Sequence, residues 1–351
     1  MAYLKYCGVG IKGISAAVPM IVYNNLKDNQ FFAQEDRDAI VAKTGIIKRR
    51  IAPTDMCASD LCFAAAEKLL SEMGLDRSSV DVLISITQTA DYRTPGNSSI
   101  LQNKLHLSQD CATFDINMGC SGFIYGLSMA SGLLQQKHIR HVLLLNGETR
   151  SKAYSFRDRK TGFLFADAGS ACLLGKEDSG IESHYLLESF GSLYKNIIIN
   201  AGGCRNPSSI ESIIEKEQED GGFRSDEQGF MDGSAVFEFA ITEVPKQVKQ
   251  ILRLSEIDKE IIDYFVLHQA NAFMNDHLTR KMKIPENKAP MCLDRFGNTS
   301  SVSIPLTIVS ELRNNLAGSK NLLLSGFGVG LSVGTAILKT NNPHVCVLEE
   351  I

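Results

Sequence analysis

The sequence predicts an α/β fold that is duplicated within the chain. Apolar strand-like runs alternate with amphipathic helical runs, an order typical of parallel strands joined by helices. Three features of the first half recur in the second half after offsets of 178 to 182 residues. A repeated offset of this kind indicates two copies of one structural unit.

The first half supplies the elements of one such unit. Residues 3–18 are strand-like, and a buried strand is expected at 81–87. Ser59 is expected to cap an amphipathic helix that ends at Gly74. Further helices are predicted at residues 24–44, 96–105 and 121–134, and further strands at 142–145 and from 163.

The second half repeats this order. A helical run at 234–254 precedes a strand at 263–268, and the apolar run at 321–326 matches the run at 142–147. Gly297-Asn298-Thr299-Ser300 leads into a helix, as Gly119-Cys120-Ser121-Gly122 does in the first half. The two copies therefore carry polar or reactive residues at equivalent places.

The repeat divides the chain into residues 1–178 and 179–351, joined near 176–180. Residues 201–233 do not follow either repeat and are rich in glycine, serine and charged side chains. We expect this segment to be a solvated surface insertion.

The composition excludes several classes of protein. The 351 residues carry a net charge of −4, which provides no basic field for nucleic acid or a membrane surface. Nine cysteines without a C-x-x-C pair, together with seven scattered histidines, give neither a disulfide framework nor a metal signature. With no signal peptide and no membrane-spanning apolar run, we expect a cytoplasmic protein.

Cys120 is the candidate nucleophile. It lies where a predicted buried strand turns into a predicted helix. Backbone N–H groups and the positive end of the helix dipole would point at its sulfur. A thiol in this position loses its proton more easily and becomes nucleophilic near neutral pH. The alternative for this stretch is an inert buried cysteine that only packs.

His268 and Asn298 are expected to converge on Cys120. If the halves pack about a pseudo-twofold axis, Asn298 begins the helix equivalent to the one after Cys120. His268 ends the predicted strand at 263–268, which precedes Asn298 in the chain. By themselves, the histidine could be a core residue and the asparagine a helix cap. Their equivalent places in a duplicated fold favour a shared site.

Four ordered motifs resemble the β-ketoacyl-acyl carrier protein synthase III family of condensing enzymes. The resemblance covers essentially the whole chain except the 201–233 segment. It implies the thiolase-like five-layer αβαβα fold, usually as a homodimer. The motifs are NMGCSG at 117–122, HQAN at 268–271, DRFGNTS at 294–300 and GFGVG at 326–330.

The resemblance implies a decarboxylative Claisen condensation. Cys120 would take an acyl group from acyl-CoA, and His268 with Asn298 would stabilise the enolate formed from malonyl-acyl carrier protein. Phe327 would shield the malonyl carboxylate. The oxyanion hole would combine the amide of Cys120 with the loop at Gly328 and Val329. Coenzyme A thioester is then a substrate, and no metal or redox cofactor is required.

Some positions depart from the family pattern around the entrance to the site. Thr44 and Arg159 match residues that contact coenzyme A, but Ala39 stands where the family commonly has a tryptophan. The chain has no tryptophan at all. Val329 replaces the middle glycine of the usual Gly-Gly-Gly run.

The expected docking surface for the acidic carrier also departs from the pattern. Glu238 and Phe273 occupy positions that are basic in the family, while Arg280 and Lys281 remain. We therefore expect the partner surface to differ from that of the fatty-acid initiation enzyme.

Thr94 is the expected determinant of acyl-chain length. The resemblance implies that the residue before Pro95 reaches across a dimer into the partner's acyl pocket, where a phenylalanine restricts the enzyme to short primers. A threonine there would leave room for medium or long acyl groups, at roughly 0.8 kcal/mol per buried CH₂. The alternative is that another side chain fills the space.

Three other functions share some of these features. A related acyltransferase that passes the acyl group to an alcohol or amine shares the same nucleophile. A papain-like cysteine hydrolase also orders Cys, His and Asn along its chain, but its cysteine does not lie inside a duplicated α/β pattern. A scaffold without activity would usually have lost one of the three residues, and here Cys120, His268 and Asn298 are all present.

Overall fold

The computed structural model describes residues 1–351 and contains two large β-sheets stacked face to face. The strands, in chain order, are Ala2–Cys7 (β1), Val9–Val18 (β2), Val22–Asn24 (β3), Lys48–Arg50 (β4), Val80–Ile86 (β5), Ala112–Ile116 (β6), His141–Thr149 (β7), Asp167–Lys176 (β8), Glu182–Ser189 (β9), Ile197–Ile198 (β10), Lys216–Glu217 (β11), Phe223–Arg224 (β12), Phe230–Met231 (β13), Tyr264–Leu267 (β14), Ser319–Gly328 (β15), Ser332–Asn341 (β16), His344–Val345 (β17) and Glu349–Glu350 (β18).

Helices lie between the sheets and outside them. In chain order they are Gln34–Thr44 (α1), Ala58–Met73 (α2), Asn97–Lys104 (α3), Gly122–Leu134 (α4), Ile210–Ile213 (α5), Gly233–Ser255 (α6), Ala272–Lys281 (α7), Leu293–Phe296 (α8) and Ser303–Glu311 (α9). None of them combines the length and the apolar character needed to cross a bilayer.

The sheet topology confirms the duplicated α/β fold. The larger sheet has the order β17-β2-β8-β7-β5-β6, and the smaller has the order β1-β9-β16-β15-β14. Within them, β2-β8-β7-β5 and β9-β16-β15-β14 show the same series of antiparallel, antiparallel and parallel pairings. The strands that the sequence repeat matches therefore occupy equivalent positions.

The layers follow the αβαβα order. Helices α2 and α3 cover the outer face of the larger sheet, and α6 with α7 covers that of the smaller. Helices α4 and α9 lie between the sheets, where the largest apolar cluster draws on both sheets. Because α4 is apolar on nearly all sides, it is suited to this central layer.

Each chain terminus adds its strands to the sheet that is built mainly from the other half of the chain. Strand β1 pairs with β9 in the smaller sheet, whereas β17 and β18 pair with β2 in the larger one. The predicted junction at 176–180 lies between β8 and β9. That residues 1–178 and 179–351 are two separate repeated units stays a prediction.

Three predicted element starts are wrong. The strand expected from 163 begins only at Asp167, because residues 161–164 form a turn. The helix expected after Ser59 begins at Ala58, and Cys57 is its N-cap, in a capping box with Asp60. Ser59 instead donates its hydroxyl to Asp91 Oδ2 at 2.5 Å. The helix expected at 24–44 begins only at Gln34, because the end of β3 at Asn24 and turns at 25–28 and 30–31 precede it.

The segment at 201–233 is more firmly attached than expected. Glu215 and Arg224 form ion pairs with Arg157 and Asp158, at 2.9 Å each. At its C-terminal end, Met231 and Gly233 line the candidate site. The prediction of a solvated surface insertion is therefore wrong for these parts, because ion pairs and packing partly cover residues that the composition marks as loop.

Candidate active site

Cys120 lies between β6 and α4, as the sequence predicts, and is buried. The turn is closed by a hydrogen bond from the N–H of Gly122 to the carbonyl of Gly119, at 2.7 Å. Gly328 passes beside the thiol with φ of 150°, and a Cβ there would lie 2.7 Å from the Cys120 sulfur. Only glycine lets the backbone approach the nucleophile so closely.

His268 follows the last residue of β14 and is fixed from two sides. Its backbone N–H donates to the carbonyl of Ser325 at 2.8 Å, and its Nδ1 lies 2.7 Å from the Ser303 hydroxyl oxygen. The ring packs edge-on against Phe327, with centroids 5.3 Å apart. Since Nδ1 is occupied by Ser303, Nε2 is the nitrogen available to the site.

Asn298 is fixed by hydrogen bonds at both ends of its amide. Its Oδ1 accepts from the N–H of Ser300 at 2.9 Å, and its Nδ2 donates to the carbonyl of Ala270 at 3.3 Å. The backbone of Asn298 also bridges to Phe165. An amide nitrogen carries two hydrogens, so one N–H remains for a ligand.

These residues line one cavity. It has a volume of about 70 Å³, and Cys120, His268 and Asn298 share its wall with Phe327 and Gly328. The convergence predicted from the repeat is therefore present. The remaining lining residues are Leu164, Phe165, Ile197, Met231, Gly233, Val236, Ala270, Asn271 and Met274.

The cavity adjoins a larger outer pocket of about 530 Å³. The two share Leu164, Met231, Gly233, Asn271 and Met274, so they are inner and outer parts of one channel. The outer pocket contains the predicted contact residues Thr44 and Arg159. It also contains Ile40, Lys43, Lys160, Asp232, Ser234, Phe237 and Phe273.

The site lowers the pKa of the Cys120 thiol to about 7. Burial by itself would raise this pKa. Interaction with His268 opposes burial, and the charge of Arg150 and the backbone N–H of Val329 add to that effect. A substantial fraction of Cys120 is therefore thiolate near neutral pH, as expected for a nucleophilic cysteine.

Several predicted residues do not line the channel. Arg280 and Lys281 lie at the far end of α7 from Asn271, and Lys281 Nζ donates to the carbonyl of Ile241 at 2.8 Å. Thr94 is exposed on its own chain. Thr94, Arg280 and Lys281 therefore do not line the channel. Phe273 does line its outer part.

Ala39 and Glu238 are exposed beside the outer pocket and are also absent from its wall. Helix α1 instead presents Ile40, Lys43 and Thr44, at the spacing of one helical face. Arg159 is held in this region by an ion pair with Asp36.

Sequence reasoning missed several functional neighbours. Lys43 and Lys160 add positive charge to the outer pocket, and Ser303 orients His268. Glu148 and Arg150 are buried near Cys120. One signal was available: opposite charges stand two residues apart close after the apolar run 142–145, with Glu148 inside β7 and Arg150 just beyond its end, and such residues are rarely buried without a partner.

Comparison with known proteins places the chain in a family. A family model described as 3-oxoacyl-[acyl-carrier-protein (ACP)] synthase III matches residues 114–189. A second model, described as the C-terminal part of the same synthase, matches residues 252–340. A β-ketoacyl-[acyl-carrier-protein] synthase III of Fusobacterium nucleatum is 33% identical over 94% of this chain and 98% of its own length. The chain belongs to the β-ketoacyl-acyl carrier protein synthase III family. Synthase III of Streptococcus agalactiae is 34% identical over 86% of this chain and 90% of its own length.

Solved structures of similar proteins share the whole fold. A 3-oxoacyl-(acyl-carrier protein) synthase from Burkholderia xenovorans superposes with a TM-score of 0.94 at 35% identity, covering 100% of this chain and 99% of its own. A priming β-ketosynthase from the R1128 polyketide pathway reaches 0.83 at 26% identity, covering 96% of this chain and 98% of its own. The fold is thus the thiolase-like αβαβα fold that the motifs imply.

The family assignment settles the class of reaction. The chain is a condensing acyltransferase. The alternative of a papain-like cysteine hydrolase is wrong, because its fold and motifs are absent from a chain that matches synthase III over nearly its full length.

Proposed function

We propose that this enzyme joins an acyl group from acyl-CoA to malonyl-acyl carrier protein by decarboxylative condensation through an acyl group bound to Cys120. The observation that carries the proposal is the single cavity in which Cys120, His268 and Asn298 meet at the inner end of a channel. The channel leads past Thr44 and Arg159 to the surface. A thioester arm entering there would reach the sulfur.

In the first half-reaction, the Cys120 thiolate attacks the thioester carbon of acyl-CoA. The oxyanion that forms would accept hydrogen bonds from backbone N–H groups of Cys120 and the Gly328–Val329 loop. The intermediate collapses with loss of the coenzyme A thiolate, which takes up a proton. A thiolate suits this step because it attacks and leaves with similar ease.

In the second half-reaction, the malonyl thioester loses carbon dioxide, and the electron pair of the broken C–C bond becomes an enolate. His268 Nε2 and Asn298 Nδ2 would donate hydrogen bonds to the enolate oxygen. The enolate carbon then attacks the acyl carbonyl and expels the Cys120 thiolate, which gives a β-ketoacyl thioester. Phe327, packed edge-on against His268, would shield the carboxylate that leaves. These steps involve no net redox change and need no metal or redox cofactor.

The charge at the outer pocket supports a phosphate-bearing thioester arm. Lys43, Arg159 and Lys160 all line it, and cations of this kind attract phosphate groups.

The exposed Glu238 and the half-exposed Phe273 lie where a basic carrier-docking surface is expected, so we propose a carrier that is not the housekeeping one. An unchanged KM for the housekeeping carrier after Glu238→Lys with Phe273→Arg would refute that proposal.

We further propose that the enzyme is a homodimer. Strand β6 ends the larger sheet and has a neighbour on one side only, which leaves an edge on which a second copy can pair. Helix α3 packs on β6, and Thr94 lies in the segment just before α3. Pairing at this edge would bring Thr94 close to the partner's site.

A cytoplasmic, reducing compartment is proposed because Cys120 must remain a free thiol to act.

The test of the reaction is mass analysis of the protein after incubation with acyl-CoA. We expect one acyl mass on the peptide that contains Cys120, and its release as a β-ketoacyl product, with carbon dioxide, when a malonyl carrier is added. Cys292→Ala is the matched control, because Cys292 is buried beside Thr307 outside the channel. Acyl mass on another cysteine would contradict the proposal. Release to an alcohol or amine but not to malonyl would favour the alternative acyltransferase.

A further inference from the structure

A pair of opposite charges is buried beside the nucleophile. Glu148 at the end of β7 is completely buried, and Arg150, two residues later, is 5% exposed. The Arg150 Nε lies 3.4 Å from Glu148 Oε2. Burying two charges costs desolvation free energy, and apolar replacements of such pairs are often as stable. Stability of the fold therefore gives little reason for this pair, and a functional reason is needed.

Arg150 is connected to the nucleophile through one hydroxyl group. Its Nη2 donates to Gln88 Oε1 at 2.6 Å and to Ser300 Oγ at 3.0 Å. Ser300 Oγ lies 3.8 Å from the Cys120 sulfur. Because Ser300 accepts from Arg150, its own hydrogen is available to Glu148 Oε1, at 3.4 Å, or to the sulfur, which is within the reach of a donor to sulfur. Glu148 Oε1 also accepts from a second serine hydroxyl, so the Ser300 hydrogen can turn to the sulfur when Cys120 is a thiolate.

Ser300 is held in an unusual backbone conformation to reach this position. Its φ is 53°, in the left-handed region that few residues other than glycine adopt. Its N–H is the donor that fixes Asn298 Oδ1. The same residue thus links the buried arginine to the sulfur and to the amide that would bind the enolate.

The residue before the nucleophile also makes room for the guanidinium. A Cβ on Gly119 would lie 2.7 Å from Arg150 Nη2 and 2.6 Å from Gln88 Oε1. The buried Arg150 Nε makes no hydrogen bond. Arg150 therefore forms no bidentate hydrogen-bonded pair with Glu148. Its positive charge can act on the Cys120 sulfur.

We propose that Arg150 is a positioning residue for the nucleophile, which acts through Ser300 to keep Cys120 in its thiolate form. This role is additional to that of His268 and concerns the acylation step. It rests on the proposed function, since Cys120 is the acceptor of the acyl group in both. A positive charge close to a buried thiolate stabilises it strongly because little water screens the pair.

The charged and titratable groups around the sulfur come from three parts of the fold. His268 faces it from the end of β14, Glu148 and Arg150 from the end of β7, and Tyr154 from the segment that follows. Burial raises the pKa of Tyr154, which leaves this phenol neutral near pH 7. His268 and Arg150 are therefore the groups that lower the pKa of Cys120.

The test is the rate of Cys120 alkylation by iodoacetamide as a function of pH, a readout that needs no acyl substrate. In the native enzyme the rate should be half-maximal near pH 7. Arg150→Met removes the charge and should move this midpoint upward by about one pH unit, which lowers the rate near neutral pH by about fivefold. Arg150→Lys keeps the charge and should retain a midpoint closer to that of the native enzyme.

A second variant keeps the test decisive if Arg150→Met fails to fold with Glu148 left unpaired. Glu148→Gln combined with Arg150→Met is neutral at both positions and should fold, because replacing both partners of a buried pair is tolerated. Its midpoint should also rise. A midpoint equal to that of the native enzyme would overturn the proposal. If the midpoint shifts but Cys120 takes up no acyl group, the proposed function fails while the role of Arg150 stands.

Discussion

Cys120 shows how burial and reactivity are reconciled in one side chain. Six other cysteines have a raised pKa, in each case because of burial: Cys57, Cys62, Cys111, Cys172, Cys292 and Cys346. In Cys120 alone is the pKa lowered, because His268 and Arg150 face the sulfur. Reactivity is thus a property of its neighbours rather than of its place in a helix turn alone.

The division of work between His268 and Asn298 leads to a prediction at the same scale. Because both would donate to the malonyl enolate, changing either to Ala should reduce decarboxylation by about a hundredfold or more. Loading of Cys120 with the acyl group should fall less. Radiolabelled carbon dioxide release and the acyl mass on Cys120 measure the two steps separately.

Controls for this pair are available on the surface. His138→Ala and Asn103→Ala change the same residue types at exposed positions outside the channel, and both should leave the two steps unchanged. Equal losses in loading and decarboxylation for His268→Ala or Asn298→Ala would show that the roles are not divided in this way.

At the scale of the elements, helices pack very closely against both faces of the larger sheet. Gly126 of α4 packs against the larger sheet, where a Cβ would lie 2.5 Å from Ile86 Cδ1. Gly169 of β8 packs against α2, where a Cβ would lie 2.3 Å from the carbonyl carbon of Leu61. The second contact is with backbone, so no side-chain rotation can relieve it.

Gly169→Ala should therefore destabilise the protein without touching the active site. Added volume in a well-packed core typically costs about 1–3 kcal/mol, and a rigid backbone neighbour favours the upper end. The measurement is the free energy of unfolding in urea. Gly191→Ala, with no atom within 4 Å of the added Cβ, is the control and should change stability by about 0.5 kcal/mol or less. Equal stability of the two variants would contradict this packing argument.

At the scale of the whole molecule, the site of one chain is expected to be completed by another. Thr94 is exposed on its own chain, in the segment just before α3, and α3 packs on β6 at the free edge of the larger sheet. In a dimer paired at that edge, a threonine in place of a large aromatic ring would leave room in the acyl pocket for a longer chain. The chemistry then depends on assembly as well as on the fold.

We predict that the native enzyme loads octanoyl groups at least as well as acetyl groups. Thr94→Phe should reduce octanoyl loading about tenfold or more while preserving acetyl loading, since each buried CH₂ contributes roughly 0.8 kcal/mol. Rates of acyl transfer to Cys120 from the two acyl-CoAs measure this, and light scattering reports the dimer. Thr54→Phe, at another exposed threonine, is the control. A native enzyme that strongly prefers acetyl would refute the prediction.

The amino-acid pattern was enough to predict the fold class and the three central residues. The periodicity of apolar residues reports which segments are buried, and a constant offset between halves reports that they share one architecture. Cys120, His268 and Asn298 could therefore be placed at equivalent strand ends and helix starts, where the fold brings them into one cavity.

The tertiary structure decided what surrounds them. The buried pair of Glu148 and Arg150, the link through Ser300 and the position of Lys43 at the outer pocket depend on segments far apart in sequence. So does the exchange of β1 and β17 between the sheets. Periodicity shows that a side chain is buried but not which side chain faces it, and it is the facing charges that set the reactivity of Cys120.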